Sequence, residues 1–270
     1  MPRPLGRQHP TIRRLRVLRR DPARRHAESV LVAEGIHLAQ EALSASEAAI
    51  ELVVVSPRLA RTEEGRELLA AVEQSEVRCF ETSDTVLQSL QDSRSAQPIL
   101  TLVRRPQWPP DLGLALRQKK ALIGVAHGIQ DPGNLGSLFR TLHAAGGTAC
   151  FVDDAAADPF HARAVRASMG SILRLPVRVE PTGDLLPRLR ECGIALVGAA
   201  SSGEVEYQRC DITRAVAVFF GGEGRGLPPE LLAELDETIR VPLHAGVESL
   251  SVGAAAAVVL FEAARQRRLA

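Results

Sequence analysis

The run Val216-Ala217-Val218-Phe219-Phe220, followed at once by Gly221-Gly222-Glu223-Gly224-Arg225-Gly226, constrains this chain more than any other stretch. Five consecutive apolar residues closed by glycine read as a strand buried on both faces, the pattern of a parallel sheet. The loop after it then lies at a carboxyl end of the sheet, where open α/β folds bind ligands. Glycines there permit positive φ and a close backbone approach, and Glu223 offers an acceptor to a hydroxyl or amine. A plain strand-to-helix turn with a solvated glutamate is the alternative reading of the glycines alone. Neither a Walker lysine nor a strict G-x-G-x-x-G with a distant acid is present, so this is not an ordinary nucleotide fingerprint.

Upstream, helical and strand periodicities alternate. A helix is expected over residues 11–20, a strand with a turn over 29–35, and a helix over 36–43. A strand over 51–55, a helix over 63–74, a strand over 77–80, a helix over 83–90 and a strand over 98–103 complete a first α/β unit. Arg104-Arg105-Pro106-Gln107-Trp108-Pro109-Pro110 has the composition of a linker, because proline disfavours helix and central strand alike. The expected division is residues 1–105, a linker over 106–118, and a second domain over 119–270. Trp108 is expected to pack against a domain edge.

The second domain opens with a strand over 121–126. It leads into Asp131-Pro132-Gly133-Asn134-Leu135-Gly136-Ser137-Leu138-Phe139-Arg140. Asn134 is placed as an N-cap of the next helix, with Arg140 in its second turn beside an anion-attracting end; an arginine on a solvated helix face is the plainer alternative. Further strands are expected over 150–152 and 194–199, and a helix over 161–168. A small-residue turn at 168–171 leads into 173–177. The last helix begins near Leu250 and is rich in small residues, suited to close packing or to a dimer interface.

The 270 residues carry a formal net charge of only +1, but the charge is unevenly placed. Arg3, Arg7, Arg13, Arg14, Arg16, Arg19, Arg20, Arg24 and Arg25 are opposed in their stretch by Asp21 alone. Such a segment is the electrostatic footprint of a phosphate-binding surface, with Arg13, Arg14, Arg20, Arg24 and Arg25 as the candidate RNA contacts. An arginine-biased composition is the alternative, since lysine occurs only at Lys119 and Lys120. Cys79, Cys150, Cys192 and Cys210 are far apart and suggest neither a zinc site nor a disulfide framework. No secretory signal core precedes the first unit, and the apolar run 252–261 is about half the ~20 residues of a membrane span. A cytoplasmic protein without a membrane partner is expected.

Asn134, Gly136 and Arg140, then Gly221 to Gly226, then Val241-Pro242 with Glu248-Ser249-Leu250, stand in order on one α/β unit. Together they resemble motifs 1, 2 and 3 of the SpoU (TrmH-type) RNA ribose methyltransferases of the SPOUT superfamily. The resemblance runs from about Ala121 to the end, and residues 19–43 look like the small substrate-binding domain found ahead of the catalytic one. It implies a parallel sheet whose carboxyl-terminal segment makes a trefoil knot, preceded by an L30e-like α/β RNA-binding domain. It also implies a homodimer and bound S-adenosylmethionine. The cofactor would be held by Gly221, Gly222, Gly224, Val241, Leu243, Leu250 and Ser251, without a metal.

The implied reaction is methyl transfer to a ribose 2′-hydroxyl, in ribosomal RNA by preference and in transfer RNA as the alternative. Arg140 carries the catalytic role in this resemblance, with Asn134, Glu223 and Ser249 orienting substrate or supporting it. A guanidinium is hard to deprotonate, so a phosphate clamp is expected rather than a general base. Ser251 stands where the family usually has asparagine. It is shorter and presents one hydroxyl, so one polar interaction with cofactor or with Asn134 is expected to be absent or bridged by water. That departure supports the rival reading, a catalytically silent RNA-binding or ribosome-assembly factor. A nicotinamide-dependent oxidoreductase fails on the glycine spacing.

Overall fold

The computed structural model describes residues 4–91, 96–109, 112–247 and 249–269. Two compact units result, one of residues 1–107 with Phe160–Arg174 and one of Trp108–Pro159 with Leu175–Ala270. Arg3, Pro110 and Glu248, singled out above, lie outside the described residues.

The first unit begins with two helices rather than the single one expected. Helix α1 (Pro10–Arg20) buries Ile12, Leu15 and Leu18 at helical spacing. Asp21 ends it and serves as N-cap of α2 (Pro22–Glu28), its carboxylate accepting from Arg24 N. Pro22 sets the break, because it cannot continue a helix but fits the first position of a new one. Then follow β1 (Val30–Glu34), α3 (Ile36–Ser44), β2 (Ala49–Val55), α4 (Glu63–Gln74), β3 (Arg78–Glu81), α5 (Asp84–Gln88) and β4 (Ile99–Arg104). The sheet order is β1-β4-β2-β3, antiparallel except where β3 joins β2.

Residues 160–174 pack on this unit although the sequence places them far downstream. Glu34, side chain 1% exposed, pairs with both Arg19 and, at 3.2 Å, Arg166. Arg174 pairs with Glu41, and Arg105 lies 3.8 Å over the Phe160 ring. A carboxylate so deeply buried requires paired charges. The interaction therefore specifies where the segment 160–174 docks.

The second unit holds α6 (Gly113–Leu116), β5 (Leu122–His127), α7 (Pro132–Ala144) and β6 (Ala149–Val152). After the excursion that carries α8 (Ala162–Ala167) come β7 (Val177–Val179), α9 (Thr182–Glu191), β8 (Ala195–Ala199) and β9 (Val205–Glu206). The chain ends with β10 (Val216–Gly221), α10 (Pro229–Leu232), β11 (Glu237–Arg240) and α11 (Val252–Leu269). Seven strands form a sheet in the order β7-β6-β5-β10-β8-β11-β9, and every pairing is parallel.

The parallel sheet read from residues 216–220 is therefore present, with β10 between β5 and β8. Both faces are covered, as such strands require. On one face Ile123 and Val125 of β5 join a core with Leu185 and Leu189 of α9, and Trp108 packs against its edge. On the other face Gly124 meets α7: a Cβ there would lie 2.8 Å from Leu142 Cδ2. Among the described residues no helix is long and apolar enough to cross a membrane.

Candidate functional site

The four glycines of the loop after β10 are required for two different reasons. At Gly221 a Cβ would lie 2.2 Å from the Gly226 carbonyl carbon, and at Gly222 it would lie 2.1 Å from Gly128 O. Both neighbours are backbone, so neither can swing aside. Gly224 and Gly226 have φ of +87° and +64°, where a side chain is strained. Gly226 N donates to Gly222 O at 3.0 Å, closing the loop on itself. The loop is thus pressed against the residues after β5 as well as following β10.

Its single acid ties the two together. Glu223 Oε1 accepts from Asn134 Nδ2 at 2.6 Å and Oε2 from Gln130 N at 3.2 Å. Asn134 is not the N-cap expected from sequence. Asp131 caps α7, its Oδ1 accepting from Gly133 N at 2.6 Å and Asn134 N at 3.1 Å, with Pro132 in the first helical position. The displaced role frees the Asn134 amide to reach Glu223. Helix α7 starting at Pro132 also puts Arg140 in the third turn, not the second, beyond the reach of the helix N-terminus.

Asp153, at the end of β6, supports the same segment. Its Oδ1 accepts from Gly128 N at 3.0 Å, and Oδ2 stands 3.0 Å from His127 Nδ1, which also meets Thr182 Oγ1 at 3.0 Å. Burial alone raises the Asp153 carboxyl, but the His127 and Gly128 hydrogen bonds outweigh it and hold it below the usual range. Sequence patterns do not single out Gln130 or Asp153, whose partners are set by the packing of loops far apart in the chain.

Glu223 behaves similarly. Partial burial disfavours its charge, yet the hydrogen bonds from Asn134, its own backbone and Gln130 N prevail and lower its pKa. A depressed carboxyl stabilises the folded loop at pH above the unfolded value, about 4.3, and that stabilisation is lost as pH falls through the folded value. S-adenosylmethionine affinity, titrated calorimetrically, is accordingly expected to be level from neutral pH down through the ordinary carboxylate range and to fall only as pH drops through the lowered value of Glu223. Glu223→Gln should weaken binding at neutral pH and flatten the acid limb; an unchanged acid limb would assign it to another group.

The carboxyl ends of β8, β10 and β11 open onto a cavity of about 390 Å³, within the range of small-molecule sites. Gly221, Gly222, Glu223, Gly224, Val241, Leu243, Ser249, Leu250 and Ser251 all line it. Phe220, Arg225 and Gly226 of the same stretch line it too. Ala199, Ala200, Ser201 and Ile239 complete the wall, together with Val252, Ala255 and Val259 from α11. These additional residues were not legible beforehand, because alanines and a serine after a strand carry no pattern. Ser251 accepts from Ala254 N at 3.3 Å and so caps α11. Serine and asparagine serve equally as N-caps, which gives the departure at this position a structural role.

Asn134 and Arg140 are not part of the cavity wall. Asn134 reaches it through Glu223. Arg140 is exposed, and its guanidinium has no hydrogen-bond or ion-pair partner among the described residues. It lies one turn beyond Ser137, whose Oγ would be 2.9 Å from a Cβ at Gly253 in the first turn of α11. Residues three apart share a helix face, so Arg140 is on the side of α7 that meets α11.

The basic amino-terminal candidates divide. Arg13, Arg20 and Arg24 are exposed. Arg25 is 2% exposed and donates to Leu18 O, and Arg14 is held by Glu28 and Glu51. Burial therefore removes Arg25 from any RNA-facing surface, and its bond to Leu18 O ties α2 to α1. Among the described residues no group of three or more His, Cys, Asp or Glu is arranged to hold a metal, and all four cysteines are free.

Comparison with known proteins places these features. The profile of the SpoU rRNA Methylase family matches residues 121–261, and that of the MRM3-like substrate binding domain matches residues 9–101. A 23S rRNA (guanosine(2553)-2′-O)-methyltransferase, RlmP of Bacillus subtilis, is 29% identical over 228 residues, 84% of this chain and 86% of the relative. A 23S rRNA (guanosine-2′-O-)-methyltransferase, RlmB of Xanthomonas campestris pv. campestris, is 35% identical over 151 residues, 56% of this chain and 61% of its own. The crystal structure of an AdoMet-bound rRNA methyltransferase from Sinorhizobium meliloti superposes with a TM-score of 0.82 at 26% identity, covering 96% of each chain. With the profile spanning more than half of its length, the chain belongs to the SpoU rRNA methylase family.

Proposed function

We propose that this protein transfers a methyl group from S-adenosylmethionine to a ribose 2′-hydroxyl of ribosomal RNA. The observation that carries the reading is the cavity walled by the Gly221–Gly224 loop, residues 241–251 and the start of α11. Its dimensions and chemistry fit the cofactor: backbone groups at two glycines that admit no Cβ, apolar contacts from Val241, Leu243 and Leu250, and a carboxylate at the mouth. When bound, S-adenosylmethionine supplies an electrophilic methyl on a sulfonium that is already a good leaving group.

The chain's own residues then position the nucleophile, which is where most of the rate can be gained. Arg140, exposed and without a partner among the described residues, is available to clamp a substrate phosphate and to stabilise negative charge on the 2′-oxygen as its proton passes to solvent water. Asn134 and Gln130 hold Glu223, and Glu223 holds the glycine loop in its closed form. The curated relatives named for ribosomal RNA support that substrate over transfer RNA.

Homodimerisation is part of the reading. Val247, Leu250 and Phe261 are 52%, 37% and 48% exposed, and they lie in or beside the first half of α11, where the other exposed side chains, Ser251 and Ala254, are small. Pairing of two copies through this face would cover them next to both cavities.

Methyl transfer from radiolabelled S-adenosylmethionine to unmodified ribosomal and transfer RNA, followed by alkaline hydrolysis, tests the function. Label in alkali-resistant dinucleotides from ribosomal RNA is expected. Folded protein that binds the cofactor yet labels neither RNA would sink the enzymatic reading in favour of a silent RNA-binding scaffold. Sedimentation equilibrium should give a dimer mass, and Phe261→Glu a monomer.

A further inference from the structure

The first unit carries a cluster of charges that the sequence does not gather, centred on Glu51. The β2–β4 register shifts between Ile50 and Leu52, so Glu51 is the extra residue of a β-bulge, and bulges re-aim side chains. Its carboxylate, 11% exposed, is gripped on both oxygens by Arg14 of α1. Arg78 of β3 and Arg104 of β4 stand 3.5 and 3.8 Å from the same two oxygens. Arg14 also pairs with Glu28 at 2.7 Å, and Arg24 joins Glu28 at 2.6 Å. Four guanidiniums face two carboxylates, which leaves a surplus of two positive charges at one end of the sheet.

The distances separate two kinds of arginine. Arg14 makes close charge-assisted hydrogen bonds and is used up in the network. Arg78 makes only long hydrogen bonds to Glu51, from Nε to its carbonyl at 3.4 Å and from Nη2 to Oε1 at 3.5 Å, and Arg104 stands 3.8 Å away, against about 2.7–2.9 Å for close charge-assisted bonds; their side chains are 62% and 65% exposed. Glu51 orients them while engaging one edge of the Arg78 fork only weakly and, among the described residues, making no hydrogen bond to Arg104. Its own carboxyl is held below the usual range, first by the Arg14 hydrogen bond against burial, then by the charges of Arg14, Arg104 and Arg78. It therefore stays anionic.

We propose that Arg78 and Arg104, arranged by Glu51, form an RNA-phosphate docking surface on the first unit, in addition to the exposed arginines of α1 and α2. This rests on the reading that the protein acts on RNA. Arginine forks fit phosphate bidentately, and a fixed orientation lowers the ordering cost of each contact. Backbone contacts of this kind set register on a substrate without reading its sequence.

The test is filter binding of the full-length protein to total ribosomal RNA and to labelled polyuridylate across a salt series. Arg78→Ala/Arg104→Ala is compared with wild type and with Arg13→Ala/Arg20→Ala. The double variant of the cluster is expected to bind both RNAs on the order of tenfold more weakly. Its slope of log affinity against log salt should be shallower by about 2, one for each phosphate that is no longer neutralised. Cofactor affinity should not move and the thermal midpoint should fall only slightly, since both residues are on the surface of the first unit and Arg14 still pairs with Glu51.

Glu51→Gln should also weaken binding, although it removes a negative charge, because the two forks lose their guide. Tighter binding by Glu51→Gln would overturn the organising role. Wild-type binding with an unchanged slope in Arg78→Ala/Arg104→Ala would overturn the docking surface. Failure of wild-type protein that still binds S-adenosylmethionine to bind either RNA would overturn the RNA reading itself.

Discussion

Gly222→Ala is expected to weaken S-adenosylmethionine binding by roughly 5- to 140-fold. The added Cβ would sit 2.1 Å from Gly128 O and 2.8 Å from the Gly128 carbonyl carbon. Relief requires the glycine loop and the residues after β5 to part. That movement strips Glu223 from Asn134 and from Gln130 N, so the cavity wall and its latch are disrupted together. Overpacking against unyielding neighbours costs about 1–3 kcal/mol, and 1.4 kcal/mol is about tenfold in affinity. Two controls separate this clash from a general intolerance of glycine replacement. At Gly224 nothing lies within 4 Å, so Gly224→Ala meets only the strain of φ +87° and should be milder. At Gly183, in α9, there is open space and no positive φ; Gly183→Ala should raise the thermal midpoint slightly by restricting the unfolded chain. Isothermal titration of all three variants checks the order. Equal affinities for Gly222→Ala and wild type would mean that the loop does not form the cofactor wall.

The central strand and its loop are legible in the sequence because both are local. An all-apolar run ending in glycines has few other readings, and β10 occupies it with the expected parallel neighbours. Local rules also failed in traceable ways. Asn134 is a good N-cap residue, but Asp131 before Pro132 is a better one, and the proline decides because it prefers the first helical position. Helix α9 escaped notice since Gly183 and Pro187 interrupt its pattern, yet Leu185 and Leu189 bury fully against the sheet and tertiary packing prevails. Strand β11 is short and half polar, and only its pairing with β8 and β9 identifies it. The arginine-rich amino terminus was visible as charge but not as geometry. Arg25 turns inward, while Arg78 and Arg104, unremarkable in sequence, converge on Glu51 from separate strands. Charge counting cannot distinguish a buried guanidinium from an offered one.

Arg140→Ala should lower kcat for RNA methylation by roughly 10²- to 10³-fold, the size of effect seen when one preorganised donor to a developing oxyanion is removed. The geometry makes the effect selective. Arg140 is absent from the cavity wall, and among the described residues no hydrogen bond or ion pair ties it to Glu223 or to the glycine loop. Cofactor affinity and thermal midpoint should therefore match wild type, while RNA affinity falls modestly because one phosphate goes unclamped. Arg140→Lys keeps the charge but gives up the planar fork; partial activity is expected if charge stabilisation dominates, and almost none if bidentate clamping does. The pH–rate profile provides a second check. A phosphate clamp takes no proton from the substrate, so Arg140→Lys should reduce the rate without displacing the profile. A lysine variant whose activity rose with pH through the lysine range would instead point to proton abstraction at this position. Full activity in Arg140→Ala would remove the residue from the mechanism and leave the alignment of the 2′-hydroxyl to groups lining the cavity, Ser249 first among them.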